Sequence, residues 1–371
     1  MSQIDTTSVN ERLAAITAAG TSVWLDQISR GLTQTGELKS MVSEYCLRGV
    51  TSNPAIFEKA ILGAHQYDEQ IAGLVREGKD AREIYQAIAI KDVQDAADIL
   101  RGVYDESGGT DGFVSFEVDP DLAHDSDKTI AQAREYWARV DRPNLMIKIP
   151  GTPAGLGPIQ TAIFEGINVN VTLLFSVEAY ATVAEAFIKG LEARQAAGEP
   201  VDVQSVASFF VSRVDTEVDK RLTALGHEEL RGRAGLANAR AAYRRFKEIF
   251  HGERFAQLAA AGAPVQRPLW ASTGTKDPSY PATLYVDGLV GPQTVNTMPM
   301  ATLKAAAEQA VVDPDGPAPV EIDPSADLQA LAAAGIDIDD VTDKLLRDGI
   351  TAFVTPMESL LKGIESKRTG A

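Results

Sequence analysis

Cysteine, basic charge and long apolar runs are all scarce in this sequence. Cys46 is the only cysteine among 371 residues, so no intrachain disulfide can form, and a reducing cytoplasm is the expected compartment. The 35 basic residues are outnumbered by 52 acidic ones, and a formal net charge of -17 argues against nucleic acid and anionic membranes as partners. No apolar run approaches the roughly 20 residues of a membrane-spanning helix. We expect a cytoplasmic protein that binds neither nucleic acid nor a membrane.

Histidine is scarce as well, and the common nucleotide-binding motifs are missing. His65, His124, His227 and His251 are scattered, and none lies at the end of a predicted strand. A histidine metal site or a Ser-His-Asp triad therefore lacks its parts, and no metal is expected. Neither G-x-G-x-x-G nor G-x-x-x-x-G-K-[ST] occurs, which argues against an open, doubly wound nucleotide-binding sheet.

Short apolar runs alternate with helical patterns along the chain. The runs predict strands at 22–26, 49–52, 112–118, 144–149, 168–174, 204–211, 268–272 and 282–286. Helices are predicted at 39–47, 81–103, 127–140, 158–166, 177–197, 216–225, 228–250 and 300–311. A capping-box spacing of Ser8 and Glu11 predicts an N-terminal helix that ends at Gly20, and 340–365 predicts a long C-terminal helix.

This alternation predicts the α/β class and a single (β/α)8 barrel of the TIM type. No composition change or linker divides the chain, so residues 1–371 are expected to form one domain. The segment 313–324 is too rich in proline for regular structure and predicts an excursion over the surface.

One lysine stands inside an apolar run. In Asn144-Leu-Met-Ile-Lys-Ile-Pro-Gly151 the flanking residues predict a buried strand that ends at the Pro-Gly pair. Lys148 has no acidic neighbour in sequence, so burial disfavours its ammonium form and predicts a nucleophilic amine able to form a Schiff base. The alternative is a lysine whose stem packs on the strand while its ammonium group reaches water.

Further polar residues gather where the predicted strands end, which is where barrel enzymes carry their chemistry. In chain order they are Asp26, Asn53, Glu117, Asp119, Asn168, Asn170, Thr172, Ser208, Arg213, Ser272 and Lys276, and the aromatic Phe210 stands beside Ser208 on strand six. The alternation of strand five predicts Asn168, Asn170 and Thr172 on one face, where Val, Ile and Leu usually fill a barrel.

Several of these residues also have a structural explanation. The polar face of strand five would then be a satisfied hydrogen-bond layer, Asp26 a helix cap, Asn53 a turn former and Arg213 a solvated surface residue. Their common location at the strand ends favours a polar pocket built around the amine of Lys148.

Together these segments resemble the transaldolase family. The resemblance extends over about 22–276, and its most specific parts are Thr51-Ser-Asn-Pro54 and Gly166-Ile-Asn-Val-Asn-Val-Thr-Leu-Leu-Phe-Ser176. It implies a cofactor-free Schiff-base transferase of the pentose phosphate pathway. Such an enzyme moves a dihydroxyacetone unit from sedoheptulose 7-phosphate or fructose 6-phosphate to glyceraldehyde 3-phosphate or erythrose 4-phosphate, so its partners are small sugar phosphates.

The resemblance also implies roles for individual residues. Lys148 would form the Schiff base, Asp26 would act as acid and base, and Glu117 with Thr172 would position a catalytic water. The substrate would be held by Asn53, Asn170, Ser208, Phe210, Arg213, Ser272 and Lys276. Of these, Asn53 and Asn170 would bind the dihydroxyacetone hydroxyls, while Lys276 stands where the family often has an arginine for the phosphate.

Two alternatives stay open at this point. A Schiff-base aldolase on the same barrel would release dihydroxyacetone instead of transferring it. A non-catalytic binding protein would use the same strand-end groups as a satisfied network. Both a monomer and a homodimer are compatible with the sequence.

Overall fold

The structure is a computed structural model that describes residues 8–370. Its strands form a closed barrel in which every neighbouring pair is parallel, including the first strand with the last. They are β1 (Thr21–Leu25), β2 (Gly49–Val50), β3 (Phe113–Glu117), β4 (Leu145–Pro150), β5 (Val169–Leu174), β6 (Ser205–Phe210), β7 (Arg267–Ala271) and β8 (Thr294–Met298). The predicted (β/α)8 barrel is confirmed.

Helices surround the barrel. Those of the first half are α1 (Glu11–Ala18), α2 (Arg30–Gln34), α3 (Glu37–Glu44), α4 (Pro54–Gly63), α5 (Asp68–Arg76), α6 (Ala81–Glu106), α7 (Ser126–Val140) and α8 (Leu156–Phe164). Those of the second half are α9 (Val177–Ala196), α10 (Ser212–Leu225), α11 (Ala234–Phe250), α12 (Glu253–Ala260), α13 (Leu284–Asp287), α14 (Met300–Gln309), α15 (Ser325–Ala333) and α16 (Ile338–Gly370). Both the N-terminal helix and the long C-terminal helix are present.

The barrel interior is layered, because alternate residues of each strand point inward. A fully buried apolar layer contains Trp24, Phe113, Met146, Val206, Leu269 and Val295. Gly49 faces this layer, and a Cβ there would lie 2.4 Å from the Trp24 ring, so the indole requires glycine on the neighbouring strand. The residues two positions further along β1 and β4 are Asp26 and Lys148. The apolar layer therefore closes the barrel beneath the polar strand ends.

The prediction of the eighth strand at 282–286 is wrong. That run forms the short helix α13, and the barrel closes instead through β8, which pairs with β1 from Thr21↔Thr294 to Leu25↔Met298. A short apolar run does not distinguish a strand from a buried helix turn. In α13, Tyr285 is buried and its hydroxyl donates to Asp215 Oδ2 over 2.7 Å, so this aromatic residue packs on the outer helices.

Other differences concern helix boundaries. The N-terminal helix begins at Glu11, and its cap is Asn10, whose side chain accepts from Leu13 N, so the predicted capping box starting at Ser8 is wrong. The predicted helix 228–250 is divided into a 3-10 turn at Glu228–Leu230 and α11. Segment 313–324 lies between α14 and α15, and its 3-10 turn Pro319–Glu321 buries Val320. Across 8–370 the helices include none with the length and apolarity to cross a membrane.

Candidate active site

A cavity of about 200 Å³ lies at the carboxyl ends of the strands. Its wall contains most of the residues predicted for a site, namely Asp26, Asn53, Lys148, Thr172, Ser208, Phe210, Arg213, Ser272 and Lys276. The two other predicted residues adjoin this wall. Glu117 contacts Lys148, and Asn170 accepts a hydrogen bond from Ser208. The parallel barrel therefore brings together side chains that are far apart in the sequence.

Lys148 lies on β4 with only 4% of its surface exposed. Its Nζ donates to the carbonyl oxygen of Ser52 over 3.0 Å and to Glu117 Oε2 over 3.2 Å. The ammonium group therefore does not reach water along the strand, which was the alternative to a buried amine. Although no acidic residue adjoins Lys148 in sequence, the register of β3 against β4 pairs it with Glu117.

Glu117 is as deeply buried as the lysine, with 4% exposure. Burial raises the pKa of its carboxyl to about 7, against the opposing attraction of the Lys148 ammonium, and the charge of Asp26 raises it further. A carboxyl that titrates near neutral pH can both hold and release a proton under ordinary conditions. Glu117 is thus suited to proton transfer beside the amine.

Asp26 follows β1 and faces the same cavity. Thr51 Oγ1 donates to its Oδ1 over 2.6 Å. Burial raises the pKa of Asp26, while the charge of Lys148 and the hydrogen bond from Thr51 act in the opposite direction. The helix after β1 is capped by Ser29, whose hydroxyl accepts from Leu32 N. The structure therefore assigns the cap to Ser29 and leaves Asp26 at the cavity.

The end of β5 is irregular next to Thr172. The register with β6 shifts between Val171 and Leu174, and Leu173 has a φ of 62°, a left-handed conformation that a leucine rarely adopts. Backbone strain of this kind is concentrated at functional sites. Within the described residues, Thr172 Oγ1 and Glu117 Oε1 are both buried and have no hydrogen-bond partner. These oxygens are available to hold a substrate or a water.

The asparagines of the predicted site have different surroundings. Asn53 lines the cavity and also caps α4, because its Oδ1 accepts from Ile56 N over 3.0 Å. It is therefore a turn residue as well as a candidate ligand. Asn170 is fully buried, donating to Ser115 Oγ and accepting from Ser208 Oγ, so it contacts the cavity wall through Ser208. Asn168 donates to the carbonyl oxygens of Pro143 and Leu145, which is a structural role.

A basic corner of the cavity lies at the start of α10. Arg213 is half-buried, with its guanidinium carbon 5.1 Å from the centroid of the Phe210 ring. Burial lowers the pKa of Arg213 and the charge of Asp26 opposes this, yet a guanidinium keeps its charge in proteins. Among the ion pairs of residues 8–370, none involves Arg213. The prediction that Arg213 could be a solvated surface residue does not hold.

The loop after β7 completes this corner. The hydroxyls of Ser212 and Ser272 are 2.8 Å apart, and Ser272 has a left-handed φ of 55°. No side chain caps the first turn of α10, and Ser212 N donates to the carbonyl oxygen of Ser272 over 2.9 Å. The Arg213 guanidinium beside these hydroxyls favours an anion. Lys276 contributes a second positive charge from the exposed rim.

Comparison with known proteins assigns the chain to a family. A family model described as transaldolase/fructose-6-phosphate aldolase matches residues 23–364. The chain belongs to this family. It is 49% identical to a transaldolase of Saccharopolyspora erythraea over 97% of this chain and 98% of the relative. It is 50% identical to a transaldolase of Mycolicibacterium paratuberculosis over 96% of this chain and 97% of the relative. Transaldolase 1 of Streptomyces coelicolor is 49% identical, over 98% and 97% of the two chains.

In this member of the transaldolase/fructose-6-phosphate aldolase family, the cavity wall also contains residues that the sequence analysis did not single out. They are Thr51, Ala271, Gly274, Thr297, Pro299 and Phe353. Thr51 belongs to the segment Thr51-Ser-Asn-Pro54, and the pairing of β1 with β2 places it next to Asp26, to which it donates a hydrogen bond. Thr297 was missed because the eighth strand was misplaced. No local signal in α16 indicates that Phe353 reaches the cavity.

Asp119, the remaining polar residue predicted at a strand end, has a structural role. Asp119 accepts a hydrogen bond from Tyr136 over 3.0 Å and pairs with Arg82, so it joins β3 to the outer helices. The part of the chain that the structure describes contains no cluster of three or more His, Cys, Asp or Glu that could hold a metal.

Proposed function

We propose that this enzyme transfers a dihydroxyacetone unit between sugar phosphates through a Schiff base on Lys148. The observation that carries the proposal is the contact of a buried lysine amine with a buried carboxyl that titrates near neutral pH. Family membership and relatives named transaldolase at about half identity support the transferase activity over a non-catalytic barrel. The activity places the enzyme in the pentose phosphate pathway.

The first step is formation of the imine. Lys148 Nζ attacks the ketone carbon of the donor, giving a carbinolamine, and the former ketone oxygen then leaves as water. The amine must lose its proton before attack, and the departing hydroxyl must gain one. Glu117, 3.2 Å from Nζ, is placed to accept the first proton and to donate the second. A water held by the unpartnered oxygens of Glu117 and Thr172 would relay these protons.

The second step is cleavage of the C3–C4 bond. Asp26 takes the proton of the C4 hydroxyl, the electrons of the C3–C4 bond move to the iminium, and the aldose phosphate leaves. The raised pKa of Asp26 makes its carboxylate a stronger base than an exposed aspartate. When the acceptor aldehyde arrives, the same steps run in reverse: the enamine carbon attacks the aldehyde carbon, and Asp26 returns the proton to its oxygen.

The proposed substrate contacts two sides of the cavity, one through its three-carbon fragment and the other through its phosphate. On the proposed arrangement Asn53 contacts the hydroxyls of the three-carbon fragment, and Asn170 acts through Ser208. The phosphate occupies the basic corner formed by Arg213, Ser272 and Lys276. In a protein with a net charge of -17, such a local corner accounts for recognition of an anion.

The proposal is tested by trapping the imine. Treatment with fructose 6-phosphate and borohydride should attach a reduced three-carbon fragment to Lys148, identified by peptide mapping. Lys276 lines the same cavity and is therefore the matched control: K276A should keep the label and K148A should lose it. A label on another lysine, or no label on the parent protein, contradicts the Schiff-base proposal.

The transferase activity itself is tested with and without an acceptor. Fructose 6-phosphate with erythrose 4-phosphate should give sedoheptulose 7-phosphate and glyceraldehyde 3-phosphate, with little free dihydroxyacetone. Acceptor-independent release of dihydroxyacetone at the same rate would identify an aldolase instead.

We further propose a cytoplasmic location and a monomeric or homodimeric state. The single cysteine, Cys46, suits a reducing compartment. Light scattering on the purified protein should give the mass of one or two chains of 39.7 kDa, and cell fractionation should recover the activity with the cytoplasm.

A further inference from the structure

The C-terminal helix reaches the active-site end of the barrel. Helix α16 packs against α4, α6 and α10 and contacts β5. Gly349 of α16 lies against the end of β5, where a Cβ would be 3.1 Å from Leu173 Cδ2 and 3.4 Å from the ring of Phe175, the next residue after the strand. The absence of a side chain at Gly349 therefore lets the helix lie directly on the irregular end of β5.

One turn after Gly349 the helix presents Phe353 to the cavity. Residues four apart lie on the same helix face, so the approach at Gly349 directs Phe353 towards the strand ends. The ring lines the cavity, is only 4% exposed, and has its centroid 5.3 Å from Lys148 Nζ. An apolar side chain thus covers the nitrogen on which the proposed mechanism builds its intermediate.

We propose that Phe353 keeps water from the three-carbon fragment while it is bound to Lys148, so that transfer outpaces release. This inference rests on the proposed function and adds a residue that determines the outcome of the reaction. Release requires the enamine carbon to gain a proton, after which water adds to the iminium carbon and the C–N bond breaks to give dihydroxyacetone and the free amine. Transfer requires the same carbon to attack an aldehyde before it is protonated.

The surroundings of Phe353 explain why this position matters. Near Lys148 the cavity wall is largely polar: Thr172 lies on the adjoining strand β5, and Asp26 and Thr51 directly follow β1 and β2. Removing the ring would open space next to Nζ that water could enter. Water exclusion is a recognised means of protecting reactive intermediates. The ring also lies within the distance at which an aromatic face stabilises a cation, which favours the positively charged iminium.

The test is the ratio of two rates measured on the 371-residue enzyme. One is release of free dihydroxyacetone from fructose 6-phosphate, and the other is transfer to erythrose 4-phosphate. F353A should raise the release-to-transfer ratio by about tenfold, the effect of a change of about 1.4 kcal/mol in the relative barriers. F353L, which keeps α16 packed and fills part of the space, should raise the ratio by a smaller factor.

Leu345 provides a matched control on the same helix. It is buried in the same apolar cluster as Phe353 but is not part of the cavity wall that the structure describes. L345A should destabilise α16 without changing the ratio. An equal change of the ratio in L345A and F353A would overturn the proposal, because it would trace the effect to helix packing.

Borohydride labelling separates failure of this inference from failure of the proposed function. A parent protein without label at Lys148 would contradict the Schiff-base mechanism, and the inference with it. A parent protein that is labelled and transfers normally, together with an F353A ratio equal to that of the parent, would overturn only the role of Phe353. If F353A does not fold, an unchanged ratio in F353L overturns that role.

Discussion

The two ends of β3 each carry a buried carboxylate, and they differ in how their oxygens are used. At the amino end, Asp111 accepts from Trp24 Nε1 over 2.8 Å and from Ser22, and Arg267 lies 3.7 Å away. At the carboxyl end, Glu117 uses one oxygen for Lys148 and leaves the other without a partner in the described protein. The carboxylate at the amino end of β3 therefore has its hydrogen-bond donors within the protein, whereas the one at the carboxyl end has an oxygen without a donor among the described residues.

This difference separates residues that stabilise the barrel from residues that are free to act on a ligand. A buried polar atom without a partner costs free energy, so it persists where a ligand or a reaction supplies the missing contact. Asp111 joins β1 and β7 across the lower barrel, whereas Glu117 and Thr172 keep oxygens for other molecules. Substitutions at the two ends should therefore change different measured quantities.

The largest effect is expected for Lys148. K148A should reduce turnover by roughly 10⁴-fold or more, as loss of a covalent nucleophile does in other enzymes. K148R should not restore activity, because a guanidinium stays protonated and cannot attack a ketone. Steady-state kinetics on protein with an unchanged circular dichroism spectrum checks both. Substantial activity in K148R would contradict the role of Lys148 as nucleophile.

The second largest effect on turnover is expected for Asp26. General acid–base groups contribute about 10²–10⁴ in rate, so D26A should lower turnover by that amount. Because imine formation precedes C–C cleavage, D26A should still be labelled at Lys148 by borohydride, whereas E117A should be labelled more slowly. Identical defects of D26A and E117A in labelling and in cleavage would refute this division of the two carboxyls.

Arg213 should affect binding more than chemistry. A charge-assisted hydrogen bond lost from a desolvated site costs about 1.5–3 kcal/mol, so R213A should raise KM for fructose 6-phosphate roughly ten- to a hundredfold. Non-phosphorylated fructose is the control substrate and should be little affected. K276A should show the same pattern more weakly, because its ammonium is a point charge on a flexible stem. An unchanged preference for the phosphorylated sugar in R213A would remove the arginine from the phosphate site.

Glu117 should give the reaction a dependence on pH near neutrality. Its pKa of about 7 predicts that the rate of borohydride-trapped imine formation changes around that pH in the parent and loses this inflection in E117Q.

Glu117 should also make the free energy of unfolding depend on pH. The sign of this dependence is opposite to that of a carboxylate whose pKa is lowered by folding. Because folding raises the pKa of Glu117 above its ordinary value of 4.5, ionisation opposes folding, and the loss of stability grows between about pH 4.5 and 7. The free energy of unfolding of E117Q minus that of the parent should thus increase over this interval and level off above it. Urea titrations at several pH values measure it, and a flat difference would contradict the raised pKa.

The smallest effect on activity is expected at the opposite end of the strand. D111A leaves Trp24 Nε1 and Ser22 Oγ without their acceptor and Arg267 without its ion-pair partner, which should lower the free energy of unfolding by about 1–3 kcal/mol. Turnover and KM should stay close to those of the parent. A loss of activity in D111A comparable to that in D26A would break the contrast between the two ends.

Local sequence patterns are sufficient to predict most strands of the barrel and the functional side chains at their ends. Strand β4 is buried on both faces and, apart from Lys148, forms an apolar run, while β5 alternates valine with polar residues. Both patterns are recognisable locally. The eighth strand, Thr-Val-Asn-Thr-Met, is mostly polar and therefore does not form the apolar run by which the other strands are predicted. Such a strand is stabilised by pairing with β1 and β7, which a local pattern does not reveal.

The sequence by itself determined which polar residues stand at the ends of strands, including Lys148 in its apolar run and Asp26 after β1. Parallel strands that close into a barrel direct all their carboxyl ends to one side, so the common location of these residues follows from strand order alone. Only the tertiary structure decided that Glu117 contacts Lys148 and that Phe353 covers it. Those contacts depend on strand register and on the docking of a helix about 200 residues away in sequence, both of which arise from packing across the whole chain.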